Sequence, residues 1–321
     1  MQVFEVKKIG KIVVLGTGGT IAGTAASASD HTGYTAGQLG VQHLLDAVPG
    51  LNDVLQDVAL VGEQVAQLDS KDMDHATWQI LAQRCSHWLA QIDVGGLVIT
   101  HGTDTLEETA WFLQQVLHST KPVVLTCAMR PATALAPDGP QNLLDAMAVV
   151  LDPMARGVLA VSAGRIHSAR DVQKVHPYRL DAFSSGEAGP RGWVEQGQVR
   201  WSGPCHAPEP HAHAPQALAQ AVADWPWVAV LHCHAGADAR QVRALVDAGA
   251  KGLVVAGTGN GTVHRSLLTT LAEAQKQGVA LRLVSRCAEG QIVGQLAALQ
   301  LAPLGLNVYK ARISLMLDLM Q

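Results

Sequence analysis

The chain has 321 residues, of which 48% are hydrophobic and 16% charged, and carries a formal net charge of -4. At about 150 residues per domain this is material for two domains with buried cores, which excludes global disorder. The acidic balance removes the electrostatic footprint of a nucleic-acid binder, and no apolar run approaches the ~20 residues of a membrane span.

The elements alternate along the chain. Apolar runs at Ile12–Leu15, Gly96–Thr100, Pro122–Thr126 and Gly157–Ser162 read as buried strands. Between them lie helical stretches. In Leu106–Leu117 the residues Leu106, Ala110, Leu113 and Leu117 share one face, and Thr105 with Glu108 has capping-box spacing. This alternation predicts an α/β fold, a parallel sheet with helices on both faces. Residues 186–215 are rich in Gly and Pro and read as irregular. Strands are expected again at Val228–His232, Gly252–Ala256 and Ala280–Ser285, with helices at Arg240–Ala248 and Val263–Gln277 and an amphipathic helix at Lys310–Gln321. The expected organisation is an N-terminal catalytic α/β domain over 1–190, a linker over 191–217 and a smaller α/β domain over 218–321.

Two glycine-rich loops follow strands, at the sheet edge where open α/β folds bind ligands. The first is Leu15-Gly-Thr-Gly-Gly-Thr-Ile-Ala-Gly23. Gly16 and Gly18 suit a dinucleotide loop, but Ile21 takes its third glycine position, and no lysine completes a phosphate loop. A turn without function is one reading. Thr20, a hydroxyl among backbone N–H donors, suits a nucleophile beside an oxyanion hole. The second loop is Ile99-Thr-His-Gly-Thr-Asp-Thr105. Thr103 and Asp104 are ordinary helix caps, yet a hydroxyl nucleophile needs a base, and His101 and Lys174 are the candidates.

These two loops, with Ala128-Met-Arg-Pro131, Asp138-Gly-Pro140, Arg170-Asp-Val-Gln-Lys174 and Ala256-Gly-Thr-Gly-Asn-Gly261, resemble the signature segments of the bacterial-type L-asparaginase (asparaginase/glutaminase) family, in collinear order over nearly the whole chain. The motifs are closest in style to the type II members. The resemblance implies hydrolysis of L-asparagine to L-aspartate and ammonia, with side activity on L-glutamine, in a homotetramer of intimate dimers using no metal or cofactor. It implies Thr20 as nucleophile, Tyr34 on a mobile lid bonded to it, and Thr103 as second catalytic threonine beside Lys174. It further implies that Asp104 belongs to that catalytic Thr103–Lys174 group and holds the substrate α-ammonium, that Ser70 binds the α-carboxylate, and that Asn260 reaches the site from a neighbouring C-terminal domain. The Gly-, Ala- and Ser-rich segment 22–35 has a lid's composition.

Two positions depart from the family pattern. Lys71 stands where glutamine is common; it either meets a substrate carboxylate or pairs with Asp69 or Asp72. Residues 291–300 hold no acid where periplasmic-type members carry a glutamate, and Glu289 does not take that role. Both changes shift the site's charge upward and bear on the choice between asparagine and glutamine.

The remaining features read plainly. His206, His211 and His213 suit a solvated linker better than a metal site, and His232 and His234 suit a sheet edge. The five scattered cysteines, with no C-x-x-C pair, suit free thiols in a reducing compartment, and residues 1–8 lack an export signal's apolar core. A cytoplasmic enzyme without nucleic-acid or membrane partners is expected. An amidase for other amino-acid amides, a non-catalytic amino-acid binding protein and an oxidoreductase are the competing readings.

Overall fold

The computed structural model describes residues 9–30, 32–205, 210–294, 299, 301 and 303–320. Two compact units divide the chain, Met1–Pro210 and His211–Gln321.

In the first unit the strands are β1 (Lys11–Gly18), β2 (Ala59–Leu68), β3 (Val94–Thr100), β4 (Val123–Thr126), β5 (Val158–Ser162), β6 (Arg165–Ser168), β7 (Gln173–Lys174), β8 (Phe183–Ser184), β9 (Gly192–Glu195) and β10 (Gln198–Trp201). Its helices are α1 (Val41–Asp46), α2 (Leu51–Leu55), α3 (His75–Leu89), α4 (Leu106–Val116) and α5 (Gly139–Leu151). Eight strands form one sheet in the order β10-β9-β6-β5-β4-β3-β1-β2, while β7 and β8 pair separately. β1 to β5 run parallel and β6, β9 and β10 add antiparallel pairings. Alternate side chains face opposite ways along a strand. Ile12 and Val14 accordingly join Val98, Val124, Leu143, Met147 and the α1–α2 leucines in one core, while α3 packs on β3 and α4 on β5.

The order of strands matters more than their number. The chain leaves β1 for β2 on one side and returns to β3 on the other, so β1 and β3 flank a topological switch point, where the loops after both strands diverge and leave a crevice. Gly16 pairs with Thr100, and Gly18 with Leu68, so the loops after β2, β1 and β3 emerge side by side.

Residues 191–217 are not a plain linker. β9 and β10 lie inside that range and extend the large sheet, and the division between units falls after Pro210. Gln196 (φ 52°) and Gly197 (φ 72°) make the two-residue turn that suits a tight hairpin. The Trp201 indole donates to Asp152 at 3.0 Å, tying the hairpin to the end of α5. Tertiary pairing outweighs the Gly/Pro content of this stretch.

The second unit has α6 (Ala214–Ala219), β11 (Val228–His232), α7 (Ala239–Asp247), β12 (Gly252–Gly257), α8 (Arg265–Lys276), β13 (Ala280–Ser285) and α9 (Val308–Asp318). The three strands are parallel in chain order. Val242 of α7 and Leu267 and Leu271 of α8 pack with Leu231, Leu253, Val255 and Leu283. α9 packs against all three strands. Its expected amphipathic character does not appear: Val308, Lys310, Ala311, Ile313, Leu315, Met316 and Leu317 are all buried, and the helix begins earlier, capped by the Asn307 side chain. His206 lies outside the described residues. Among the described residues no helix is long and apolar enough to cross a membrane, and no group of three or more His, Cys, Asp or Glu could hold a metal ion.

Candidate active site

The loop after β1 is shaped by glycines at close quarters. Gly18 and Gly19 have φ of 100° and 78°, a region that L side chains rarely occupy. The Gly19 N–H donates to the Leu68 carbonyl at 2.8 Å, and the Gly19 carbonyl accepts from Gly37 N–H at 3.0 Å. This turn delivers Thr20, a residue only 6% exposed, to the start of a single 3-10 turn, Thr20–Ala22. The Thr20 hydroxyl lies 2.6 Å from the Tyr34 hydroxyl.

Tyr34 sits on a loop fastened at both ends. Thr24 and Thr35 exchange two main-chain hydrogen bonds, each 2.9 Å, closing residues 24–35 into a flap. Within it Asp30 Oδ1 accepts the N–H groups of Thr32 and Gly33. The flap docks on residues 132–135: Ala132 N–H donates to Gly23 O, Leu135 N–H to Ala28 O, and Ala25 N–H to the Thr133 hydroxyl. That platform is organised by Asp138, whose carboxylate accepts the N–H groups of Met129 and Arg130 at 2.9 Å each.

The loop after β3 carries a second cluster. The Lys174 ammonium donates to Thr103 Oγ1 at 2.8 Å and to Asp104 Oδ1 at 2.6 Å. Thr103 is buried and the Lys174 side chain is 18% exposed, whereas the Asp104 side chain is 51% exposed and faces solvent. Asp104 N–H donates to the hydroxyl of Ser70, itself 2% exposed, at 3.1 Å. Gly102 has no room for a side chain, because Ser70 Oγ and Cβ occupy the space a Cβ would need. Thr20 with Tyr34, Thr103 with Asp104, and Ser70 therefore stand on three adjoining loops of one sheet edge, and Lys174 reaches them from β7.

Two expectations from the sequence change here, and for Lys71 one of the two alternatives is seen. His101 is not a base for either threonine. It is fully buried, its Nδ1 donates to the Gly102 carbonyl at 2.7 Å, and its Nε2 accepts from the Thr109 hydroxyl at 3.0 Å. Thr109 in turn accepts from the Trp78 indole at 2.9 Å. Burial pushes the imidazole pKa down to about 4, so the ring is neutral and braces the loop. Thr105 and Glu108 form no capping box, since the Thr105 hydroxyl donates instead to the Ser70 carbonyl at 2.8 Å. Lys71 bonds Asp69 at 2.6 Å and lies 3.4 Å from Asp72; the Asp69 hydrogen bond raises its pKa.

Asn260 lies in the second unit, on the loop after β12. Its side-chain amide donates to the Val293 carbonyl at 2.9 Å and accepts the Val293 N–H at 2.8 Å. Glu289 is exposed. In the same unit, His234 bonds the Ala235 carbonyl and meets Gln241 at 3.0 Å, and His211 meets Asp318 at 3.0 Å.

Two residues near the site escape sequence reasoning. Glu107 is 5% exposed and accepts the main-chain N–H of Lys174 at 2.6 Å. In the sequence it is one of two acids in the first turn of a helix, indistinguishable from a side chain that complements the helix dipole. Asp138 belongs to a quoted motif, but its role in holding residues 129 and 130 depends on a loop closure that spacing does not disclose.

Comparison with known proteins follows the same division. Residues 11–206 match the asparaginase N-terminal family model, and residues 227–321 match the glutaminase/asparaginase C-terminal domain. The chain belongs to the asparaginase family. It is 38% identical over 319 residues to L-asparaginase 2 of Escherichia coli (strain K12), spanning 97% of this chain and 89% of that protein. It is also 38% identical over 277 residues to the glutaminase-asparaginase of Pseudomonas fluorescens biotype A, spanning 85% and 75%. The crystal structure of a probable cytoplasmic L-asparaginase from Campylobacter jejuni superposes with a TM-score of 0.89 at 37% identity, covering 97% of this chain and 95% of that one. For this asparaginase-family chain the matched regions include all eight residues singled out from the sequence.

Proposed function

We propose that this protein hydrolyses the side-chain amide of L-asparagine to L-aspartate and ammonia. The observation that carries the reading is the pair of hydroxyl clusters on neighbouring loops, Thr20 with Tyr34 at 2.6 Å and Thr103 with Lys174 at 2.8 Å. A binding protein has no need of two activated hydroxyls, and each needs a partner to act as nucleophile or acid.

In this reading Thr20 Oγ1 adds to the amide carbon while its proton passes to the Tyr34 oxygen, which gives up its own hydroxyl proton to solvent. N–H groups of the glycine loops stabilise the oxyanion. The C–N bond then breaks, and Thr103 gives its proton to the leaving nitrogen as Lys174 replaces it. Ammonia departs, and water cleaves the threonine ester, restoring Thr20; the proton lost as the new side-chain carboxyl ionises returns to Lys174 and L-aspartate leaves. The half-exposed Asp104 carboxylate holds the α-ammonium and the Ser70 hydroxyl donates to the α-carboxylate. Lys71, already bonded to Asp69, has a lesser part.

Side activity on L-glutamine is supported by the glutaminase-asparaginases among the relatives. A homotetramer, in which Asn260 serves a neighbouring copy's site, follows from the family resemblance. A cytoplasmic location is supported by the description of the Campylobacter relative and by the free cysteines among the described residues.

The test is ammonia release at neutral pH from L-asparagine, L-glutamine and D-asparagine, with Thr20→Ala alongside. Release from L-asparagine that disappears in the variant is expected. No release from any of the three overturns the proposal.

A further inference from the structure

We infer that Glu107 is a positioning residue for Lys174, holding its main chain so that the ammonium meets Thr103 and Asp104. The inference rests on the proposed function, because it assigns Lys174 a part in the chemistry.

Lys174 sits in a strand of only two residues, paired with Phe183 and Ser184. So short a pairing fixes little by itself. The hairpin uses the next N–H, that of Val175, which donates to the Ala182 carbonyl at 2.8 Å. Successive N–H groups of an extended chain point to opposite sides, so the Lys174 N–H points away from the hairpin. Glu107 Oε2 takes it at 2.6 Å. The same short segment, Thr103 to Glu107, therefore grips Lys174 twice: by its ammonium at Thr103 and Asp104 and by its main chain at Glu107.

Glu107 suits this task. It lies in the first turn of α4, where the helix dipole favours an anion. It is buried, and a hydrogen bond from N–H to a carboxylate shielded from water is short and strong. Without it the four-carbon stem of Lys174 would start from an unfixed point, and displacements near 1 Å at a reacting group cost about 100-fold in rate.

The experiment is a double-mutant cycle on kcat for L-asparagine with Glu107→Gln, Lys174→Met and the double variant. A parallel measurement follows hydrogen exchange of the main chain over residues 172–176 in the unliganded protein. Glutamine keeps the volume of Glu107 and removes its charge, and thermal melting checks that the fold is kept. Glu107→Gln is expected to lower kcat about tenfold with KM changed by less than about twofold. In the Lys174→Met background the same substitution is expected to change kcat by less than about twofold, since the residue acts through Lys174. Exchange at 172–176 is expected to quicken. Independent, multiplicative losses overturn the inference, as does unchanged exchange, or an unchanged kcat in Glu107→Gln. A wild-type protein that releases no ammonia sinks the proposed function instead, and the exchange measurement still judges whether Glu107 holds Lys174.

Discussion

Gly19 and Gly102 lie back to back, so that a Cβ on Gly19 would fall on the main chain of Gly102. The loops carrying Thr20 and Thr103 approach through two residues without side chains, and Gly102 leaves room for the Ser70 side chain. Close approach at two glycines, together with the short side chains of Ser70 and Thr105, brings the three site loops together.

Gly19→Ala is therefore expected to abolish activity, by more than about 100-fold in kcat/KM, since it moves the whole loop that presents Thr20. The added methyl also meets a backbone at φ 78°, ψ -174°, a region in effect reserved for glycine. That strain is expected to lower stability by about 1–3 kcal/mol, read from denaturant melts. Wild-type activity in Gly19→Ala would refute the close-contact account.

Tyr34→Phe removes the oxygen 2.6 Å from Thr20 and leaves the ring in place. A drop in kcat of about 100-fold, in the range of a lost general acid–base partner, is expected with an unchanged melting temperature. Steady-state ammonia release decides this, and a kcat within twofold of wild type would remove Tyr34 from the proton path.

Lys71 tests what its charge does. Two carboxylates already face its ammonium. Lys71→Gln is expected to leave KM for L-asparagine within about twofold and the melting temperature unchanged, as exposed pairs contribute little. A tenfold rise in KM would mean that the ammonium leaves Asp69 for the substrate's carboxylate.

His101 predicts a pH dependence of stability. Its pKa is about 4 in the folded protein, held down by burial, against 6.5 ordinarily. Between these values the unfolded chain binds the extra proton, so stability rises with pH across that window and is lost as pH falls toward 4. The folded state forgoes about 3 kcal/mol below the window relative to neutral pH. In His101→Gln the slope of melting temperature against pH between 4 and 6.5 should flatten. An unchanged slope would place the acid sensitivity elsewhere.

The strands were readable because burial on both faces leaves near-continuous apolar runs, as at Ile12–Leu15 and Val228–His232. The hairpin at Gly192–Trp201 was not, because its glycines and the flanking Pro190 and Pro204 mask an alternation that shows only when β6 offers an edge. The site follows the same division. The motifs marked Thr20, Tyr34, Thr103, Asp104, Lys174 and Ser70 by residue type and resemblance. Residue type alone could not tell His101 from Lys174 as the partner of a threonine, since both are basic; the resemblance pointed to Lys174. Burial and the bonds to Gly102 and Thr109 decide that His101 braces.

What the sequence by itself determined was local: which segments are extended or helical, which loops tolerate close backbone approach, and which hydroxyls and charges are available for chemistry. These depend on hydrophobic periodicity, glycine content and functional-group type, all properties of short stretches of chain. What only the tertiary structure decided was pairing across the chain. Lys174 reaches Thr103 and Asp104, and Glu107 takes the Lys174 N–H. The bonds to Lys174 join groups about 70 residues apart. They form because the loop after β3 ends at the sheet edge and the fold brings β7 alongside it, where side chains from distant segments meet the same few donors and acceptors.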